Sequence, residues 1–193
     1  MQGVIVFFLV NIRQLMLFIL LSFIVVPSIS DEVQSARLVV NTFAKNLQNT
    51  LATAMMEGGP VNAVTVCHDS AIKIAEFHSS QSGWQVSRTA LKIRNPANAP
   101  DDWELKTLRQ FEQRKASGEK VTAIEYSEWF EESGQRVFRY MKPIATTGIC
   151  LSCHGGSVDE GLAIILGDFY PDDKATGFNV GDIRGAFSLK KYQ

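Results

Sequence analysis

Cys150, Leu151, Ser152, Cys153 and His154 form a single C-x-x-C-H run. Two thiols at this spacing reach one edge of a porphyrin and add across its vinyl groups, and a histidine directly after the second cysteine falls beneath the iron. The run therefore specifies covalent c-type attachment of one haem, with His154 as proximal ligand. The chain holds three Cys and three His among 193 residues. Chance would assemble the run in roughly one such sequence in two thousand, so composition does not account for it. A zinc half-site would need a second ligand pair, and only Cys67, His68 and His78 remain. A thioredoxin-type pair would open a helix after a strand, whereas Gly155 and Gly156 follow here. A plain disulfide is the competing reading.

One imidazole leaves the sixth iron position to be filled or left open. Cys67, His68, His78 and Met141 are the candidate side chains. Met141 is more often packing than ligand, and His78 sits at the polar end of its segment, where a surface position is expected. Cys67 would need its thiolate form, which ferric iron stabilises. As an anionic sulfur it would favour Fe(III) and hold the couple below that of a His/Met cytochrome. The bland alternative is a small buried hydrophobe.

The elements that must position these residues come next. From Asp31 to Met56, Ala36, Val40, Phe43, Leu47, Leu51 and Met55 recur every three or four residues, which predicts a long amphipathic helix stopped by Gly58-Gly59-Pro60. It would face a core, or pair with its twin in a homodimer. Pro60 to Ser79 reads as strand or helix. As a helix it puts Val64, Cys67, Ala71 and Ile74 on one face and turns His68 about 100° away. Trp84 to Ile93 reads as a strand, Arg94 to Pro100 as a loop, and Asp101 to Ser117 as a helix capped by Asp101 or Asp102. Val121 to Trp129 and Arg136 to Ile144 read as a hairpin around Glu132-Ser133-Gly134. Leu162 to Phe169 reads as a further strand, and Gly185 to Tyr192 closes the sheet. Helices first and strands later predict an α+β fold with an antiparallel sheet.

Net charge is −1, and removing residues 1–30 takes away Arg13 and no acid. No basic block recruits nucleic acid. Residues 1–30 hold that one charge and two apolar runs, Val4 to Val10 and Leu15 to Val26, the second following Arg13 and ending in Pro27-Ser28-Ile29-Ser30. This is the layout of a secretory signal peptide. A 12-residue run spans only about 18 Å as helix, short of a hydrocarbon core of about 30 Å. Residues 31–193 then form one exported, periplasmic domain, or a membrane-anchored one if the segment is uncleaved. Export agrees with C-x-x-C-H, whose thiols must meet haem outside the reducing cytosol.

Four separated motifs carry a family resemblance. They are Ala63-Val64-Thr65-Val66-Cys67; Arg88 to Pro96 with Asn98, Pro100, Asp101 and Trp103-Glu104; Cys150 to Gly155; and Tyr170-Pro171 with Gly181 to Ala186. From about Val33 to Tyr192 the chain resembles the Tll0287-like haem domain family. The resemblance implies a PAS-like fold, an antiparallel sheet flanked by helices, and one covalent haem c. It places Cys150 and Cys153 on the vinyl groups, His154 as proximal ligand and Cys67 as an unusual second axial ligand. It also implies sensing of redox state or of a diatomic gas. Thr89-Ala90 departs from the usual Thr-Ser pair, with no expected effect on ligation. Arg88, Lys92, Arg94 and Arg184 are candidates to pair with the haem propionates, because a guanidinium fork matches a carboxylate.

Three functions follow. The first is a haem sensor in which reduction loosens Cys67 and a gas or another side chain replaces it. The second is a periplasmic electron carrier with a redox partner protein. The third, ranked last, is a peroxidase-type enzyme needing an open iron position and a distal acid–base group such as His68 or His78.

Overall fold

A computed structural model of the chain describes residues 28–193; the signal segment expected at 1–30 lies almost wholly outside them. Helix α1 spans Ile29–Ser82 and starts on a capping box in which Ser28 and Asp31 satisfy each other's backbone N–H. Gly58 and Gly59 leave helical geometry, Gly59 at φ 67, a conformation that costs glycine little. The chain reverses there. Asn62 donates to the Ala54 carbonyl, Asn46 bonds His78, and Trp84 donates to Ser35, so α1 is a helical hairpin with arms 29–57 and 60–82. The Gly-Gly-Pro stop holds, and the ambiguous Pro60 to Ser79 stretch is helix.

Strand β1 (Gln85–Thr89), helix α2 (Asp102–Ala116), strands β2 (Tyr126–Glu132) and β3 (Gln135–Ala145), helices α3 (Leu151–His154) and α4 (Glu160–Phe169), and strand β4 (Ile183–Tyr192) complete the fold. The sheet is antiparallel in the order β1-β4-β3-β2. This is the expected α+β, PAS-like arrangement, with two departures. Gly185 to Tyr192 belongs to a central strand rather than a closing edge. Leu162 to Phe169 is helix rather than strand: Asp159 caps it by accepting from the Leu162 N–H, and Leu162 and Leu166 pack against Val64 of the second arm, with Ile165 and Phe169 alongside.

Strand alternation sorts the sheet into two faces. Val86, Phe138, Tyr140, Phe187 and Leu189 face the hairpin and bury Ala36, Val40 and Phe43 of its first arm. Met141, Ile183 and Ala186 face the other way, against Leu108 and Phe111 of α2 and Ile124. The apolar stripe on the first arm is therefore used within the chain, while Leu38 stays 63% exposed on the arm's outer side. Met141 is a fully buried core residue. Among the described residues, no helix is long and apolar enough to cross a membrane.

Candidate functional site

The C-x-x-C-H run winds into one turn. A 3-10 turn over Gly148–Cys150 leads into α3, and the Thr147 hydroxyl lies 3.3 Å from Cys150 Sγ. All three cysteines are free thiols, so Cys150 and Cys153 form no disulfide. The segment from Tyr170 to Asp182 straps this turn to the sheet. His154 Nδ1 donates to the Ala175 carbonyl at 2.7 Å, the Phe178 N–H donates to the His154 carbonyl, and the Gly177 N–H donates to the Gly155 carbonyl. A histidine held through Nδ1 has its tautomer fixed and presents Nε2 as the uncommitted nitrogen. Phe178 stands edge-on to the imidazole, ring centres 6.2 Å apart. Burial, with Arg184 and Arg94 nearby, pushes the His154 pKa down to about 3, so the ring is neutral, as a metal ligand must be.

Arg94 brackets the same turn. Its Nη2 donates to the Cys153 carbonyl at 2.6 Å and its Nε to Asp173 at 2.9 Å, while the other Asp173 oxygen accepts from the Ala175 N–H. Backbone and side chain thus close a ring from His154 through Ala175, Asp173 and Arg94 back to Cys153. Arg184 donates to the Lys92 carbonyl and lies over the Phe178 ring. Its Nε is buried with no hydrogen-bond partner among the described residues. Burial and the neighbouring Arg94 and Arg88 lower its pKa to about 10. Lys92 donates to the Thr176 carbonyl and lies over the same ring, 5.0 Å from the Phe178 ring centre.

Cys67 enters from the second arm of α1. Burial raises its pKa, Arg88 opposes the rise, and Cys153 adds to it. Cys67 therefore sits where the charges of Arg88 and Cys153 are felt. Cys153 and Tyr170 pack on the Val64–Leu162–Leu166 cluster, one helical turn from Cys67. His68, offset from Cys67 on the same helical arm, turns toward the end of α4. It is half-buried, with its ring centre 4.8 Å from Phe169 and 5.5 Å from Tyr170 and its Nδ1 on Asp69. His78 is a correction to the surface position expected for it. At 7% exposure it bonds Asn46 and packs on Phe43 and Phe77, about 16 Å along the helix from Cys67.

The structure thus gathers Cys67, Arg88, Arg94, Cys150, Cys153, His154 and Arg184 from four elements, and sets His78 and Met141 aside. Sequence reasoning missed Asp173, the Ala175 carbonyl and Phe178. Asp173 meets Arg94 across 79 residues of chain, and a backbone acceptor leaves no residue-type signal.

The donor set fits a covalently held haem. Two free thiols lie on one turn, the neutral imidazole keeps Nε2 uncommitted, and Arg184 holds a buried orphan donor beside it. Fold and site define a PAS-like α+β domain with a C-x-x-C-H turn strapped against its sheet. The chain belongs to the Tll0287-like family, whose model matches residues 27–191. Its structure is similar to the crystal structure of the cyanobacterial heme-protein Tll0287, with a TM-score of 0.64 at 27% identity over 86% of this chain and 98% of that one. No curated protein matches the chain.

Proposed function

We propose that this chain is an exported protein carrying one covalent haem c, with His154 and Cys67 as axial ligands, and that it acts as a redox or diatomic-gas sensor. What supports the reading is the meeting of Cys67 with the C-x-x-C-H turn across the fold, beside a neutral His154 whose Nδ1 is already committed. Membership of the Tll0287-like family and likeness to a cyanobacterial heme-protein support the cofactor. Bound there, a haem supplies a one-electron couple and an exchangeable axial position.

The chain's own residues divide the work. Cys150 and Cys153 anchor the group, and the strap holds His154 in one orientation. Arg184, with its orphan Nε, is the candidate partner of a propionate; Arg94 has its donors committed to Asp173 and backbone carbonyls and acts as the bracket of the turn. Cys67 rides on the hairpin. Its thiolate favours the ferric state, so its release on reduction would detach the second arm of α1 from the iron and open the position to a gas.

The test is absorption and EPR spectroscopy of the exported protein beside Cys67→Ala, with carbon monoxide added to the reduced forms. A low-spin thiolate signature lost in Cys67→Ala, with rapid CO binding by the reduced wild type, is the expected result. A ferric spectrum indifferent to Cys67→Ala removes the ligand assignment. A reduced protein that stays six-coordinate and inert to CO removes the gas sensor.

A further inference from the structure

The arginines around the site feel one another, Arg184 sensing both Arg94 and Arg88, but they differ in which candidate ligand they act on. Arg94 and Arg184 are the cations felt by His154, whereas Arg88 is the cation felt by Cys67. Conversely, the groups that favour the charged form of Arg88 are Cys67 and Tyr170. Strand register explains the sorting. Arg88 pairs with Phe187 and Val86 with Leu189, and Val86, Phe187 and Leu189 all face the hairpin, so Arg88 projects toward the hairpin too. Lys191, which pairs with Phe138 and bonds Glu32 of the first arm, is a further cation on that face.

Its reach follows from the chain path. After the turn at Gly83, β1 runs back along the second arm, and the Val86 N–H donates to Ser79 Oγ at 2.9 Å. Two strand residues carry the chain about 6.6 Å from there to Arg88. Cys67 lies twelve helical residues from Ser79, about 18 Å. The gap along the arm is about 11 Å, most of which an extended arginine side chain spans. Tyr170, packed at the end of α4 with its ring 5.5 Å from His68, closes the other side.

Building on the ligand assignment above, we propose that Arg88 is the counter-charge of the Cys67 sulfur rather than a propionate partner, and that it sets how tightly Cys67 is held in each oxidation state. Hydrogen bonds and positive charge at a ligating sulfur withdraw its electron density and raise the reduction potential. Arg88 therefore keeps a thiolate-ligated couple within reach of a reductant and makes Cys67 the weaker of the two ligands once an electron arrives. Tyr170 limits the water that would otherwise screen the pair.

The experiment is a spectroelectrochemical titration of the exported holoprotein as wild type, Arg88→Met, Arg88→Lys, Cys67→Ala and the Cys67→Ala/Arg88→Met pair. Arg88→Met is expected to shift the ferric-to-ferrous equilibrium about tenfold toward ferric, about 59 mV for a one-electron couple. Arg88→Lys, which keeps the charge, retains most of the wild-type value. In the Cys67→Ala background the Arg88→Met shift falls to a small fraction of that size, because a double-variant cycle isolates action through the pair. An equal shift in both backgrounds overturns the proposal in favour of a direct effect on the haem, as does no shift, or a lysine variant that behaves like methionine. A ferric spectrum unchanged by Cys67→Ala is a different failure: it overturns the ligand assignment on which the proposal stands.

Discussion

Replacing Asp173 with Asn removes the carboxylate that pairs with Arg94 and whose charge Arg184 also feels. Arg94 and Asp173 are 10% and 12% exposed and 2.8 Å apart, so solvent screens them little. Removing one partner of a buried pair costs about 3–5 kcal/mol. The lower end applies, because asparagine keeps an oxygen for the Ala175 N–H that Asp173 now accepts. The expected loss is about 3 kcal/mol. The reverse change, Arg94→Met, is milder. Asp173 keeps its bond to Ala175, and Arg184, whose pKa Arg94 helps to lower, is relieved of a like charge. About 1–2 kcal/mol is expected there, mostly from the lost bonds to Asp173 and the Cys153 carbonyl. For a domain of this size the Asp173→Asn loss is a fall of about 6–12 °C in Tm. Denaturant and thermal unfolding followed by far-UV circular dichroism, on the chain made without haem, measure both. In the haem-loaded protein the propionates supply anions, so the gap between the two variants shrinks. If Asp173→Asn costs no more than Arg94→Met in the haem-free chain, the argument from excess positive charge is wrong.

Arg184→Met removes a buried orphan donor and should stabilise the haem-free chain by about 1–2 kcal/mol while weakening the loaded one, opposite signs that paired unfolding curves read directly. Gly185→Ala places a Cβ 2.5 Å from the Thr89 carbonyl oxygen and 3.1 Å from Ala90 Cβ, so β1 and β4 must separate; a loss of about 1–3 kcal/mol is expected in urea unfolding, and a neutral result would mean the strands yield there. His78 is buried and its pKa is lowered by desolvation from 6.5, so below about pH 6.5 the unfolded chain takes up a proton that the folded one refuses. Stability then falls with falling pH, His78 contributing no more than about 1.4 kcal/mol per unit beside the share of His154, whose pKa is lowered too, and His78→Phe should reduce the slope of that limb.

Much of this was legible because it is local. The C-x-x-C-H turn, the Asp101 cap of α2, the Ser133-Gly134 turn and the Gly-Gly-Pro reversal are each written in a few adjacent residues. The errors arise where tertiary context decides. Leu162 to Phe169 is apolar enough to pass for a buried strand, yet Leu162, Ile165, Leu166 and Phe169 recur at helical spacing behind an Asp159 cap, and that pattern was available to outweigh composition. His78 seemed peripheral because serines and glutamine follow it, but the second arm lies against the first and Asn46 meets it there. Arg94 stands at the site where it was expected as a candidate partner of a propionate. Its carboxylate partner is protein, Asp173, and nothing in the spacing of either residue announces a contact across that separation.

The two proposed axial ligands are held by very different means, and this bears on which one yields. His154 and its neighbours are fixed by hydrogen bonds to the strap and to Arg94, at Ala175, Phe178, Gly177 and the Cys153 carbonyl. Three of these are to backbone groups of a segment that runs directly into the central strand β4. Cys67 is carried by a helix whose local ties are the apolar contact of Val64 with Leu162 and Leu166 and the stacking of His68 on Phe169 and Tyr170, and whose nearer end is the non-helical pair Gly58-Gly59. Each buried aliphatic side chain contributes about 1.5–3 kcal/mol, but such contacts are non-directional and tolerate a sliding helix, whereas a ring of directed hydrogen bonds does not. An iron joined to both would tie that helix to the sheet. In the proposed His154/Cys67 haem, a change of couple would strain the arm first, and the movement that a partner could detect would begin at Cys67.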